Sequence, residues 1–86
     1  MVATATTRVR ILLFASYADR LGLDAVEAAL PAGATVGDAL EYLRALPGGK
    51  ELPPRPLCAR NLSHVGLETA LADGDELAVL PPLAGG

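Results

Sequence analysis

Pro81-Pro82-Leu83-Ala84-Gly85-Gly86 closes the sequence, and a carboxylate carried on two glycines is open to attack from directions that a side chain would block. Gly85 and Gly86 have no Cβ, so the backbone there can pass through a channel too narrow for other residues. Gly86 is the expected reactive residue, with Gly85 giving it clearance. Pro81 and Pro82 fix φ near −65° and favour an extended polyproline conformation, which holds the tail away from the body of the domain. A tail of this length reaches at most roughly 20 Å. That is enough to enter another protein's active site while the domain stays outside.

The remaining chemistry-bearing side chains read as structural. Cys58 falls inside an expected strand, where a free cysteine behaves as a small buried hydrophobe. His64 has no obvious acid or nucleophile partner in the neighbouring sequence, and general acid–base catalysis needs such partners. Ser16 and Ser63 suit a helix cap and a turn; neither lies in the Gly-x-Ser-x-Gly setting of a nucleophilic serine. Asp73, Asp75 and Glu76 crowd one turn and suit a solvated turn, with contact to a basic partner as the alternative. No phosphate-binding loop or catalytic carboxylate pair is present. The chain is not expected to be catalytic alone.

Composition sets the frame for that tail. Eighty-six residues make one domain, too small for a large catalytic cleft. Half the residues are hydrophobic (51%) but only 3% are aromatic, which supports a small aliphatic core and excludes disorder. A net charge of −3 argues against a nucleic-acid partner. With one cysteine and one histidine, the chain can form no internal disulfide and no typical structural zinc site. Ile11–Ala15 is too short for a secretory apolar region, and no run has the length of a membrane helix. The cytoplasm is the expected location.

Several elements must position the tail. Residues 1–7 read as a loose leader, 8–80 as the folded domain and 81–86 as the extended tail. Val9–Ala15 is nearly all apolar and suits a central strand buried on both faces or nearly so. Ser16–Gly22 has a candidate cap serine and a closing glycine for a short helical turn. Asp24–Leu30 alternates polar and apolar residues as the second arm of an antiparallel hairpin. Thr35 precedes Asp38 by three positions, and Val36, Ala39, Leu40, Leu43 and Leu46 follow at helical spacing. That helix should stop before Pro47-Gly48-Gly49. Strands are expected at Leu57–Arg60, near His64-Val65 and at Glu76–Leu80, with a turn at Ala72-Asp73-Gly74-Asp75. The order gives an α+β fold, a mixed sheet packed around one main helix. A partner that receives Gly86 must lie against the first and last strands, near Phe14 and Val79 or Leu80. Alternation alone does not decide which of Val79 and Leu80 points outward.

Val9-Arg10-Ile11-Leu12-Leu13-Phe14-Ala15, Leu71-Ala72-Asp73-Gly74-Asp75-Glu76-Leu77 and the closing Pro-Pro-x-x-Gly-Gly together resemble the small-subunit family of molybdopterin synthase, ubiquitin-like β-grasp sulfur carriers. The likeness runs from about Val9 to Gly86. Val79-Leu80 stands where members often carry bulkier aromatics. The resemblance implies a chain that binds no cofactor itself. A ubiquitin-activating-like adenylyltransferase would use ATP to adenylate Gly86, and a sulfur donor would then supply a C-terminal thiocarboxylate. The tail would next enter the large subunit of a heterotetramer and deliver sulfur to cyclic pyranopterin monophosphate in molybdenum cofactor biosynthesis. Alternatives with the same tail chemistry are a sulfur carrier for thiazole formation or tRNA thiolation, and a ubiquitin-like protein modifier joined to a lysine amine. A β-grasp binding module without tail chemistry is the remaining alternative.

Overall fold

The computed structural model describes residues 6–52 and 56–81. Its first strand, β1, spans Thr6–Leu13. It starts before the expected Arg8 because Thr7 is buried and pairs with Leu30 of β2. The expectation of burial on both faces is also corrected. Val9, Ile11 and Leu13 enter the core, whereas Thr6, Arg8 and Arg10 are exposed and Leu12 is half-buried. Only one face of β1 is covered by helix, so the sequence alternation follows the pleat.

A short helix, α1, covers Ala15–Leu21 and ends at Gly22 in the left-handed region (φ 70°). Gly22 N–H closes it by donating to the Ala18 carbonyl at 2.8 Å. Ser16 does not cap this helix; Phe14 is the N-cap residue and supplies no side-chain hydrogen bond. The first turn instead forms through the Phe14 carbonyl, which accepts from Tyr17 N–H at 3.1 Å. Strand β2 (Ala25–Pro31) then returns antiparallel to β1, completing the expected hairpin.

The main helix, α2, runs over Val36–Arg44. Thr35 and Asp38 cap it reciprocally: Asp38 N–H donates to Thr35 Oγ1 at 3.3 Å, and Thr35 N–H donates to Asp38 Oδ2 at 2.9 Å. Two otherwise unpaired amides at the helix start are thereby satisfied. Val36, Ala39, Leu40 and Leu43 are buried against the sheet, and each large side chain so buried contributes roughly 1.5–3 kcal/mol. The helix ends at Arg44, so Leu46, placed in the same periodic series, packs on the core from outside it. A one-turn 3₁₀ segment (Gly49–Glu51) follows, and Leu52 anchors it in the core.

Three more strands complete the sheet: β3 (Leu57–Arg60), β4 (Ser63–Val65) and β5 (Glu76–Leu80). Their order across the sheet is β2-β1-β5-β3-β4. The last strand, β5, therefore occupies the centre, parallel to β1 and antiparallel to β3. The first strand was the expected centre; it is interior but lies one place to the side. Between β3 and β4, Asn61 and Leu62 take positive φ (48° and 76°) in a tight hairpin turn. Among the described residues no helix is long and apolar enough to cross a membrane.

Candidate functional site

The site is built on β5, because that strand leads into the tail. Its start is fixed by the Ala72–Asp75 turn. Asp75 accepts from Ala72 N–H at 2.8 Å and from Asn61 Nδ2–H at 3.1 Å. Asn61 in turn accepts Glu76 N–H at 3.1 Å, and Asp73 Oδ1 accepts Arg8 N–H at 2.8 Å. Gly74 completes the turn in the left-handed region, and its N–H donates to the Arg8 carbonyl at 2.7 Å. Hydrogen bonds from Ala72 N–H and Asn61 hold the Asp75 carboxyl below its ordinary range. The acidic turn thus ties β5 to β1 and to the β3–β4 hairpin.

From that fixed start, the pleat assigns each residue of β5 to a face. Leu77 and Val79 are completely buried, while Glu76, Ala78 and Leu80 lie on the opposite side. Val79 is therefore a core residue, and its expected place in a docking surface is corrected. Leu80 is the member of the pair that points outward.

Register extends this assignment across the sheet. Leu12 pairs with both Ala25 and Ala78, Ala78 pairs with Ala59, and Ala59 pairs with His64. One row across the outer face is thus apolar until the edge histidine. In the adjoining row Leu80 stands opposite Leu57, which is 47% exposed. Phe14, 43% exposed, follows Leu13, the partner of Val79, at this same end of the sheet. The opposite end is charged: Arg10 is flanked by Glu27 and Glu76. A shallow hollow of about 210 Å³ there is bounded by Arg8, Arg10, Glu27 and Asp75. The apolar end is the one from which the chain continues through half-buried Pro81. Pro82, Gly85 and Gly86 lie outside the described residues.

Cys58 is buried opposite Val79 and donates its thiol hydrogen to the Pro56 carbonyl at 3.6 Å. Burial pushes its pKa up to about 11, so its nucleophilic thiolate is scarce near neutral pH. His64 is exposed on the edge strand opposite Ala59. Among the described residues no three His, Cys, Asp or Glu side chains form a metal-binding group. Leu12, Leu57 and Ala59 were not among the expected docking residues. Their alternation is visible in sequence, but their grouping with Leu80 depends on strand register.

A mixed five-stranded sheet wrapped on a main helix, with its central last strand leading to the tail, defines a ubiquitin-like β-grasp domain. The chain belongs to the ThiS family, whose model matches residues 11–86. It is similar to small archaeal modifier protein 1 of Haloferax volcanii, with 37% identity over 83 residues covering 86% of this chain and 95% of that protein. The crystal structure of that modifier superposes with a TM-score of 0.79 at 34% identity, over 92% of this chain and 99% of the other. A putative molybdopterin converting factor subunit 1 from Pyrococcus furiosus matches with a TM-score of 0.77 at 28% identity, over 90% and 99% of the two chains. The fold also occurs in a complex of molybdopterin-converting factor subunits 1 and 2 from Helicobacter pylori, with a TM-score of 0.67 and 23% identity over 93% and 100%.

Proposed function

We propose that this protein carries an activated acyl group on Gly86, acting as a ubiquitin-like modifier and sulfur carrier in the cytoplasm. The supporting observation is the central strand β5, which leaves the sheet beside an exposed apolar surface and continues directly into the Pro81-led tail. A separate adenylyltransferase binds that surface and joins the Gly86 carboxylate to AMP from ATP, releasing pyrophosphate. The mixed anhydride supplies the leaving group that a free carboxylate lacks. Attack by a target lysine amine forms an isopeptide and releases AMP; attack by hydrosulfide supplied by a sulfur donor forms a thiocarboxylate and likewise releases AMP. This chain contributes the electrophile and its delivery arm. Acids, bases and ATP contacts come from the partners. The likeness to small archaeal modifier protein 1 favours transfer to protein amines.

Sulfur delivery to cyclic pyranopterin monophosphate is the second reading, supported by the likeness to the Pyrococcus converting factor subunit. In that reading the outer apolar surface holds a large subunit, and two copies of each subunit assemble into a heterotetramer. The two fates share the activated Gly86 and differ in its acceptor.

Incubation of the full chain with ATP, the adenylyltransferase and a sulfur donor tests the common step. The intact mass is expected to rise by one oxygen-to-sulfur exchange located at Gly86, and deletion of Gly86 should abolish the exchange without unfolding the domain. A persulfide on Cys58 in its place would refute the tail mechanism. Covalent adducts on other proteins would then identify a modifier, whereas copurification with a pterin-processing large subunit would identify the molybdopterin branch.

A further inference from the structure

Strand β2 lies at one edge of the sheet, and its outer side is open. Odd-numbered residues of β1 bond toward β2 and even-numbered ones toward β5: Leu13 N–H donates to the Asp24 carbonyl at 2.8 Å, whereas Arg10 N–H donates to the Asp75 carbonyl at 3.0 Å. Register then turns the backbone groups of Val26, Ala28 and Leu30 toward β1 and those of Ala25, Glu27 and Ala29 away from the sheet. Among the described residues no hydrogen bond reaches these outward groups. Native sheets guard a long edge with lysines, prolines or bulges. Here the register runs without a bulge from Ala25 to Pro31, and one charge, Glu27, stands between Ala25 and Ala29. The opposite edge, β4, is only three residues long.

The charges along this edge complement themselves. On the outer face Arg8 stands behind Ala29, and Arg10 stands behind Glu27. A hollow of about 90 Å³ opens between Arg8, Glu27 and Ala29. Among the described residues, no hydrogen bond or ion pair engages the side chain of Arg8 or of Glu27.

We infer that β2 pairs antiparallel with β2 of a second copy, Glu27 opposite Ala29 and Ala28 opposite Ala28 at a two-fold axis. Glu27 and Ala29 of the two copies then exchange both of their outward N–H···O=C bonds. Other symmetric registers lack this fit. Glu27 opposite itself sets like charges together, and Glu27 opposite Ala25 or Pro31 faces Leu12 or Thr6 behind that residue instead of an arginine. In the inferred register each Glu27 carboxylate enters the hollow over the second copy's Ala29, whose methyl group leaves room for it, and meets Arg8. The two Cα atoms are about 10 Å apart across the two pairings, a gap that both long side chains close. Symmetry makes the contact twice. The two five-stranded sheets become one, and β5 with its outgoing chain lies beyond β1, clear of the join.

Sedimentation equilibrium of the full chain from about 10 μM to about 1 mM tests the inference. The parent should form dimers. Ala29→Pro removes an outward N–H that β1 does not use and should sediment as a monomer with the parent's Tm. Arg8→Glu and Glu27→Arg should each weaken dimerisation at least about tenfold, because each sets like charges together twice. An equimolar mixture of these two variants joins opposite charges at both contacts and should recover the parent's association to within about threefold. A parent that stays monomeric at the highest concentration overturns the inference, as does Ala29→Pro dimerising like the parent. A mixture that associates no more tightly than its components overturns the register.

Discussion

Leu57 of β3 and Leu80 of β5 face one another in register on the outer side of the sheet, one residue before the chain enters Pro81. This pair is the apolar ground nearest to the tail's origin. A protein that grips it gains apolar burial worth roughly 25 cal/mol per Å² and receives the tail in a fixed direction.

Leu80→Glu should leave the isolated domain folded, because Leu80 is only half-buried. In the complex the new carboxylate would be desolvated without a partner at a cost of several kcal/mol, weakening Kd by at least about a hundredfold. Val79→Ala, one position earlier and completely buried, should do the reverse. It should cost about 2 kcal/mol of folding stability and lower Tm by roughly 10 °C, with modest effect on docking of the folded fraction. Calorimetry and titration against the adenylyltransferase measure the two effects; equal docking of Leu80→Glu and parent would place the interface elsewhere.

Gly85→Val adds a branched side chain where the partner's channel must close on backbone. Transfer from Gly86 should fall roughly a hundredfold, the scale on which small misplacements in a reacting complex act. Tm should hardly change, since the buried core of the described residues lies between Val9 and Val79. Single-turnover transfer of the acyl group from the Gly86 adenylate measures this, and parental rates would mean that the tail does not enter a tight channel.

Thr35→Ala should cost about 1 kcal/mol by removing the reciprocal cap of α2, lowering Tm by about 4–8 °C. Asp38→Ala removes the other half of the same device. The double variant should therefore lose less than the sum of the singles, and additive losses in thermal unfolding would show that the two caps act independently.

Cys58 sets a pH dependence of stability. Burial raises its folded pKa from an ordinary 9.0 to about 11, so the folded state retains the proton that the unfolded state loses between those values. Its contribution is complete below about 9 and is lost as pH rises toward about 11. Chemical unfolding of the parent and Cys58→Ala across this window should show a steeper decline in the parent. A thiol reagent at pH 8 should label the parent only under denaturing conditions.

The elements with local causes were legible in the sequence: the Thr35–Asp38 cap, the apolar series of α2, the glycine that closes α1 and the Asp73–Asp75 turn each act within a few residues. The expected tail beyond Pro81 lies outside the described residues. The resemblance of the sequence to β-grasp sulfur carriers pointed to a fold that the sheet order and structural neighbours bear out. Molybdopterin chemistry as its particular use was a finer expectation, and the likeness to small archaeal modifier protein 1 supports the modifier alternative better. Tertiary structure alone decided that β5 is central, that Val79 is core and that Leu12, Leu57, Ala59 and Leu80 share an outer face. The reason is the pleat. A strand's alternation separates its residues into two sets, but only its pairing with neighbours and the placement of α2 decide which set is buried.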